Sequence, residues 1–433
     1  MIESQRDFKK RGKSMRNKKV FFILPAVFFV LLVVALGCLN SKPNTLEFYL
    51  MDSGKKDVFE YLTQKFSAET KNRYKIEILT AADSRQYLRA RIERKDIPDV
   101  IAMDGNSIYT ELAEGGYLMN LEKEKFIKSI NEHYINMLYQ INGSKGREIL
   151  GIPYAVNASG LMYNKAIFEK YGLIPPKTWS ELMNVCTVLK EAGIPAFAMS
   201  FGENWTALPV WNNIVPVIVP DSFIEQKNNG STSFLNTHRI VLEKYAALLN
   251  YTKGTDAISA VYLDAVKDFA NGRIAMMVNG IWTVPLIKRA NPDAKIDTIV
   301  FPSCDLELKN TVNSGIDIVL TISKDSEKKR IAKKFVQFLL RPENSQIYID
   351  RHYSFSTVDG VTQNDPSFAG LIEIMKEGRI SDFPDHYYPA WFDLASILTD
   401  FARNKEKRIP DEKNITATLA RCDSEYEECL KLR

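Results

Sequence analysis

The chain has 433 residues, of which 45% are hydrophobic and 25% are charged, and its formal net charge at pH 7 is +4. These fractions are those of an ordinary globular protein, and no low-complexity tract or short-period repeat occurs in the sequence. Basic and acidic residues are interspersed after the N-terminal region, which argues against a nucleic-acid-binding surface. The length exceeds what one hydrophobic core usually covers, so we expect at least two lobes.

The N-terminal region begins with a basic segment and continues with an uncharged apolar run, residues 20–37, that ends at Cys38. This arrangement is typical of a bacterial lipoprotein signal, and the positive charges hold its start in the cytoplasm. We therefore expect cleavage after residue 37, acylation of Cys38 and a short tether, residues 38–44, on the outer face of the plasma membrane. Met15 is an alternative translation start to Met1, since a basic stretch follows it directly.

An uncleaved signal anchor is the alternative to a lipoprotein, because an apolar run of this length can just span a bilayer. The usual lipoprotein pattern has Leu three residues before the cysteine and a small residue next, whereas this chain has Ala35 and Leu36. The run nevertheless stops at Cys38 and a polar stretch follows, which favours the lipoprotein. Both interpretations place the same domain outside the cell.

Short apolar runs alternate with amphipathic stretches after the tether. Strands are predicted at residues 46–51, 75–80 and 99–103, and helices at residues 58–66, 86–93 and 107–114. This β-α-β-α order predicts a parallel or mixed sheet with helices on both faces, and such a sheet binds ligands beyond the carboxyl ends of its strands. Asp52 and Asp104 follow two of these strand ends.

A second α/β region begins near Gly151. Either Thr178 or Ser180 can cap the helix that runs to residue 190. The alternation then continues with a strand-like, a helical and a strand-like stretch at residues 196–200, 241–249 and 275–278. The mature chain is therefore predicted to be α/β throughout.

Three stretches resemble a known family when they are taken in this order behind the signal. They are residues 151–165 with the sequel Pro175-Pro176-Lys177-Thr178-Trp179-Ser180-Glu181-Leu182, residues 269–282, and residues 323–326 leading into residues 332–339. With these stretches the chain resembles the extracellular solute-binding protein family 1, the carbohydrate-capturing components of ATP-driven importers, and is similar in organisation to maltodextrin-binding protein. The resemblance spans most of residues 45–420.

The resemblance implies a two-lobe α/β fold, the type II periplasmic-binding-protein-like fold, with a ligand cleft between the lobes and several hinge crossovers. It places lobe 1 at residues 45–155 plus 316–352 and lobe 2 at residues 156–315 plus 353–433. It also implies a binding protein that is not an enzyme and needs no cofactor. Such a protein closes its lobes on a carbohydrate and delivers it to two membrane permease subunits, which a cytoplasmic ATPase drives.

A sugar presents hydroxyl groups around its edge and C–H groups on its faces, so its site needs aromatic rings together with carboxylates and amides. Carried over from the family by position, Trp282 in Asn279-Gly280-Ile281-Trp282 matches a stacking residue, and Glu203 with Trp205 matches a carboxylate-plus-aromatic pair. Asn157 stands where some relatives have a carboxylate, so a hydrogen-bonding role remains. The alternative for each aromatic residue is packing in the core, and for Glu203 it is a surface turn.

The remaining candidates come from both lobes. We expect Asp52 and Asp104 near the cleft mouth, with helix capping as the competing use of these loops. Asp317 follows Gly315, where the chain returns across the hinge. Tyr387 and Trp391 belong to a late aromatic cluster that resembles the family's far-end stacking platform, with helix packing as the alternative.

Two other functions remain open from sequence. An extracellular glycosidase or lyase would need two carboxylates about 5 to 9.5 Å apart across the cleft, for which Asp104 and Glu203 are candidates. No Gly-x-Ser-x-Gly motif or metal-binding motif occurs in the sequence. The second alternative is a sensory or adhesive sugar-binding lipoprotein that does not take part in transport.

No metal site is predicted, because the four histidines are isolated in sequence and no C-x-x-C pair occurs. The combination of aromatic and acidic residues argues against free amino acids and phosphate-like anions as ligands. Monosaccharides, oligosaccharides and N-acetylated sugars all remain open.

Overall fold

The structure is a computed structural model that describes residues 44–141, 148–252, 256–389 and 391–431. The signal, Met15 and Cys38 lie outside the described residues. Within the described ranges, no helix is long and apolar enough to cross a membrane.

The strands are β1 (Asn44–Leu50), β2 (Tyr74–Leu79), β3 (Val100–Met103), β4 (Ile152–Val156), β5 (Ser159–Asn164), β6 (Met276–Gly280), β7 (Ile296–Ile299), β8 (Val312–Asn313), β9 (Ile316–Ile322), β10 (Phe355–Ser356) and β11 (Ile380–Ser381).

Helices surround the strands over the whole described chain. They are α1 (Lys56–Glu69), α2 (Ser84–Glu93), α3 (Ser107–Glu114), α4 (Glu132–Ile141), α5 (Lys165–Lys170), α6 (Trp179–Glu191), α7 (Leu208–Ile218), α8 (Phe223–Asn228), α9 (Phe234–Thr237), α10 (Arg239–Leu249), α11 (Asp256–Ser259), α12 (Tyr262–Ala270), α13 (Val284–Ala290), α14 (Lys329–Leu339), α15 (Pro342–His352), α16 (Ala369–Lys376), α17 (Leu394–Glu406) and α18 (Asp411–Lys431).

The first sheet has six strands in the order β10-β4-β9-β3-β1-β2. Strand β1 runs parallel to β2 and β3, whereas β9 runs antiparallel to β3 and β4. Side chains of β1 alternate between the two faces, so Phe48 packs with Phe59 of α1 and Phe335 of α14 while Tyr49 lies in a separate cluster. Helices therefore cover both faces of a mixed sheet, as the sequence predicts.

The second sheet has the order β11-β8-β5-β6, and β7 also pairs with β5. Its core contains large aromatic side chains, among them the fully buried Trp211 and Tyr245. Helix α18 packs against this core. The Lys227 ammonium of α8 forms ion pairs of 2.8 Å with both Asp423 and Glu427 of α18. We call the parts of the chain around the first and second sheets lobe 1 and lobe 2.

One predicted element is wrong, and one cap is confirmed. Residues 196–200 form no strand, because Phe197 makes only isolated bridges to Thr252 and Met276. Thr178 caps α6, since its side chain accepts from the backbone N–H of Glu181 while the Glu181 carboxylate accepts from the N–H of Thr178.

The chain passes between the sheets at residues 157–158 and again at residues 314–315. These two crossings are bonded to each other. The N–H of Asn157 donates to the carbonyl of Gly315 at 3.1 Å, the N–H of Gly315 donates to Oδ1 of Asn157 at 3.3 Å, and the Ser314 hydroxyl donates to the carbonyl of Asn157 at 2.7 Å. Strand β10 lies in the first sheet, although the boundary expected from sequence placed residues from 353 onward in lobe 2. The lobe boundaries stay a prediction.

Candidate functional site

A cavity of about 330 Å³ lies between the two lobes. Arg85, Asn106 and Ser107 line it from lobe 1. The lining from lobe 2 consists of Leu208, Asp385, His386, Tyr388, Pro389, Phe392, Asp393, Leu394 and Ala395. A neighbouring cavity of about 400 Å³ shares Arg85 and Asn106 with the first and extends over lobe 1. Because the two cavities share walls, we treat them as one cleft.

The floor of the cleft in lobe 1 is a cluster of charges around Lys55. Its ammonium lies 2.9 Å from Oδ1 of Asp317 and 3.4 Å from Oδ2 of Asp52. Asp52 also caps the short helical turn Ser53–Lys55 by accepting from the N–H of Gly54 at 2.8 Å. Burial lowers the pKa of Lys55, but attraction to Asp317, Asp104 and Asp52 outweighs it and the net pKa is raised. Lys55 therefore stays charged.

Asp104 follows β3 and opens onto the cleft. Desolvation by the surrounding protein raises the pKa of its carboxyl group, and Asp317 and Asp52 raise it further, against the opposing effects of Lys55 and His386. The structure thus brings together three residues that sequence predicted separately, namely Asp52, Asp104 and Asp317. Lys55 was missed, although a lysine directly behind a predicted strand end was a usable signal.

His386 lines the cleft from lobe 2, and the sequence reasoning missed it as well. Its Nδ1 lies 3.1 Å from Oδ1 of Asp382, and its ring packs 5.2 Å from that of Phe383. Burial alone would lower the pKa of His386, but Asp382, Asp385 and Asp104 raise it to about 9. The pairing of His386 with Asp382 could be predicted from their spacing of four residues, whereas the proximity of Asp104 to His386 could not be predicted from sequence.

Carboxylates outnumber basic groups in the lining of the cleft and its floor. The carboxylates are Asp52, Asp83, Asp104, Asp317, Asp385 and Asp393, and the basic groups are Lys55, Arg85 and His386. Asp385 is held by the side-chain amide of Asn212 at 2.9 Å, and burial raises the pKa of its carboxyl group. The cleft therefore offers many acceptors for hydroxyl groups in a negative environment.

Trp282 lies on lobe 2 directly after β6, and its ring is half-buried. The ring folds back over Gly280, where a Cβ would collide with it, and its centroid lies 6.4 Å from that of Phe383. Phe383 also packs against His386, so the ring of Phe383 lies between Trp282 and this residue of the cleft lining. It does not itself line the cavities described above.

Glu203 and Trp205 are bonded to each other on lobe 2. The indole N–H of Trp205 donates to Oε2 of Glu203 at 3.2 Å, and the backbone N–H of Tyr262 donates to Oε1 at 3.0 Å. The rings of Trp205 and Tyr262 meet edge to face at 4.8 Å. Because the Tyr262 hydroxyl lies 2.7 Å from Oγ1 of Thr283, this pair is linked to the residue after Trp282. Both oxygens of Glu203 thus have partners within the protein, while Trp205 stays 36% exposed.

Asn157 and Tyr387 do not line the two cavities described above. Asn157 bonds the two hinge crossings. The Tyr387 hydroxyl donates to Oδ2 of Asp382 at 2.9 Å, and Tyr387 lines a third cavity of about 750 Å³ between α4 of lobe 1 and α7–α8 of lobe 2, which shares Tyr388 with the first. Asp382 therefore holds His386 on the cleft side with one oxygen and Tyr387 on the other side with the second.

Trp391 is 60% exposed on lobe 2, and the guanidinium of Arg89 from α2 of lobe 1 lies 5.5 Å from its ring centroid. The same arginine pairs with Glu111 of α3 at 3.3 Å. Trp391 therefore takes part in a contact between the lobes.

Residues 52–346 match the family model described as bacterial extracellular solute-binding protein. The chain is 28% identical over 350 residues to the multiple sugar-binding protein of Streptococcus mutans, covering 77% of this chain and 81% of that one. It is 22% identical over 380 residues to the melibiose/raffinose/stachyose-binding protein MelE of Bacillus subtilis, covering 83% and 86%.

Solved structures show the same fold. The solute-binding protein RafE in complex with raffinose superimposes with a TM-score of 0.73 at 21% identity, covering 88% of this chain and 99% of RafE. The expected two-lobe α/β fold is thereby confirmed, and the matched family model covers well over half of the sequence. The chain therefore belongs to the bacterial extracellular solute-binding protein family.

Proposed function

We propose that this protein is the extracellular sugar-binding component of an ATP-driven importer. The observation that carries the proposal is the cleft between the lobes, which is lined from both sides by hydrogen-bonding groups. A ligand that contacts both lobes favours the closed form over the open one, and this difference in affinity drives closure. Two relatives, the multiple sugar-binding protein and MelE, are named for sugars, and their names support a carbohydrate as that ligand.

The chemistry of the cleft suits a polyhydroxylated ligand. Carboxylates of Asp104 and Asp385 accept hydrogen bonds from hydroxyl groups, and Trp282 and Trp205 offer aromatic surface to the C–H faces of a sugar ring. Trp282 packs near Phe383, which contacts the cleft residue His386, and Trp205 is 36% exposed on lobe 2.

The first ligands to test are α-galactosides, because MelE is named for melibiose, raffinose and stachyose and the superimposed RafE structure is a complex with raffinose. The assay is the thermal unfolding of the soluble chain from Ser41 with a panel of neutral sugars: galactose, melibiose, raffinose, stachyose, maltotriose, xylotriose and chitotriose. A sugar at 100 times its Kd stabilises the folded state by about 2.7 kcal/mol. If no sugar in the panel changes the melting temperature or the tryptophan fluorescence, the carbohydrate assignment is wrong.

The proposed function includes attachment to the membrane and delivery of the sugar to a permease. We propose that acylated Cys38 anchors the protein to the outer face of the membrane, where a short tether raises its local concentration near two permease subunits driven by a cytoplasmic ATPase. Mass spectrometry of the membrane-bound protein tests the anchor, since an intact peptide bond between residues 37 and 38 would exclude processing. Loss of uptake of the bound sugar on deletion of the gene distinguishes transport from sensing or adhesion.

We also propose that the bound sugar leaves the cleft chemically unchanged. Chromatography of an oligosaccharide recovered after prolonged incubation tests this point against the glycosidase and lyase alternatives. Recovery of the intact sugar supports the proposal, and shortened or unsaturated products would support an enzyme.

A further inference from the structure

His386 is a hydrogen-bond donor whose ring position in the cleft is set by its neighbours. Asp382 holds Nδ1 at 3.1 Å, and Phe383 packs on the ring. The hinge backbone supports it from below, since a Cβ on Gly315 would come within 2.8 Å of Cε1 of His386. Within the described part of the chain Nε2 has no bonding partner, so this nitrogen is available to a ligand.

The charged groups around His386 come from both lobes. Asp382 and Asp385 belong to its own segment, and Asp104 reaches it from lobe 1, and all three raise its pKa, to about 9. At neutral pH the ring is therefore an imidazolium and both of its nitrogens donate. An anion that approached Nε2 would also approach these carboxylates, in a cleft where acidic groups already outnumber basic ones.

We propose that His386 is a specificity-determining contact of the cleft: its Nε2–H donates to an oxygen of a neutral sugar, while Asp104, Asp382 and Asp385 exclude anionic sugars. This inference rests on the sugar-binding function proposed above. Asp382 is then a positioning residue, because it orients the ring and keeps Nδ1 from competing for the ligand. The proposal therefore limits the ligands to uncharged sugars and excludes uronates and sugar phosphates.

The direct test is isothermal titration calorimetry with raffinose, or with the neutral panel sugar that binds if raffinose does not. We expect His386→Ala to weaken binding about 10-fold or more, the loss typical of a charged hydrogen bond, and His386→Gln to retain part of the affinity through its amide N–H. Lys334→Gln, a substitution of an exposed cation on α14 of lobe 1 away from the cavities described above, is the control and should bind as the wild type does. Equal affinity of the wild type and both His386 variants would overturn the inference.

A pH profile of the unmodified protein gives a readout that does not depend on whether a variant folds. Because Nδ1–H stays on Asp382, deprotonation converts Nε2 from a donor into an acceptor, and sugar affinity should fall as pH rises through about 9. His386→Gln should lose this pH dependence. A wild-type affinity that stays constant from pH 7 to 10 contradicts the proposed contact.

Trigalacturonate, an anionic trisaccharide, tests the charge selectivity. We expect it to bind the wild type at least 100-fold more weakly than the neutral sugar, and comparable affinities would overturn this part of the inference. The sugar-binding function and the His386 contact can be tested separately. If the wild type binds no neutral sugar at all, the proposed function is wrong, whereas binding that is insensitive to His386, pH and ligand charge removes only this inference.

Discussion

The guanidinium of Arg89 lies 5.5 Å from the ring centroid of Trp391, and the two residues belong to opposite lobes. A contact of this kind is present only when the lobes approach each other, so it contributes to the stability of the closed form rather than to that of either lobe. Trp391 thus has a role that does not require it to stack on a ligand.

Replacing Arg89 with Met removes the charge while keeping a side chain of similar length. An exposed cation–π contact contributes about 0.5 to 1 kcal/mol, so we expect sugar affinity to fall about two- to fivefold. Small-angle scattering of the ligand-free protein should show a larger fraction of open molecules. Arg73→Met is the matched control, because Arg73 lies over Tyr74 within one lobe. Equal effects of the two substitutions would contradict a role for Arg89 between the lobes.

Trp282→Ala tests the aromatic surface of lobe 2. The ring packs on Gly280 and Phe383, so its removal should lower the melting temperature of the ligand-free protein modestly. We expect the sugar-dependent increase in melting temperature to disappear, while far-UV circular dichroism stays that of the wild type. Trp179→Ala, at the start of α6, is the control and should keep the sugar response. A Trp282→Ala protein that still responds to sugar would assign this ring to packing.

The cluster at the cleft floor predicts a strong energetic coupling between Lys55 and Asp317. Their side chains are only 12% and 18% exposed, so removing Lys55 leaves the Asp317 charge buried beside Asp52 and Asp104, whereas removing Asp317 leaves Lys55 with Asp52 at 3.4 Å. Lys55→Met should lower the free energy of unfolding by about 3 kcal/mol, and Asp317→Asn should lower it by less. The double variant should recover part of this loss, because it removes both charges. Urea denaturation measures all four proteins, and additive effects would contradict the coupling.

Buried His238 predicts a loss of stability in acid. Its ring stacks on Trp211 at 5.0 Å, and desolvation lowers its pKa from the ordinary 6.5 to about 3. The unfolded chain therefore binds a proton below pH 6.5 that the folded protein binds only near pH 3. The stability contributed by neutral His238 is fully present above pH 6.5 and is lost as pH falls, by about 2 kcal/mol at pH 5.

The comparison of the wild type with His238→Phe by urea denaturation between pH 7 and 4.5 isolates this effect. The variant should show a shallower decrease in the free energy of unfolding. His386 contributes in the opposite direction, since its raised pKa stabilises the protein at low pH and this contribution is lost as pH rises through about 9. Parallel pH profiles of the wild type and His238→Phe would contradict the prediction.

The strands and helices that were predicted correctly have local signals in the sequence. The apolar run at residues 46–51 corresponds to β1 at Asn44–Leu50, and the Thr178 cap marks the start of α6. The strand predicted at residues 196–200 is wrong, because a short apolar run has the same pattern whether it forms a strand or a buried loop. Only the neighbouring chain decides between them, and here Phe197 forms single bridges.

By itself, the sequence determined the α/β alternation and the order of motifs that identifies the family, since both depend on residue types at fixed spacing. Only the tertiary structure determined how the charged groups of the cleft are arranged. Lys55 and Asp317 are separated by 262 positions yet lie 2.9 Å apart, and the field at His386 includes Asp104 from the other lobe. Coulombic energy depends on distance in space, which sequence spacing does not reveal when the chain crosses a hinge more than once.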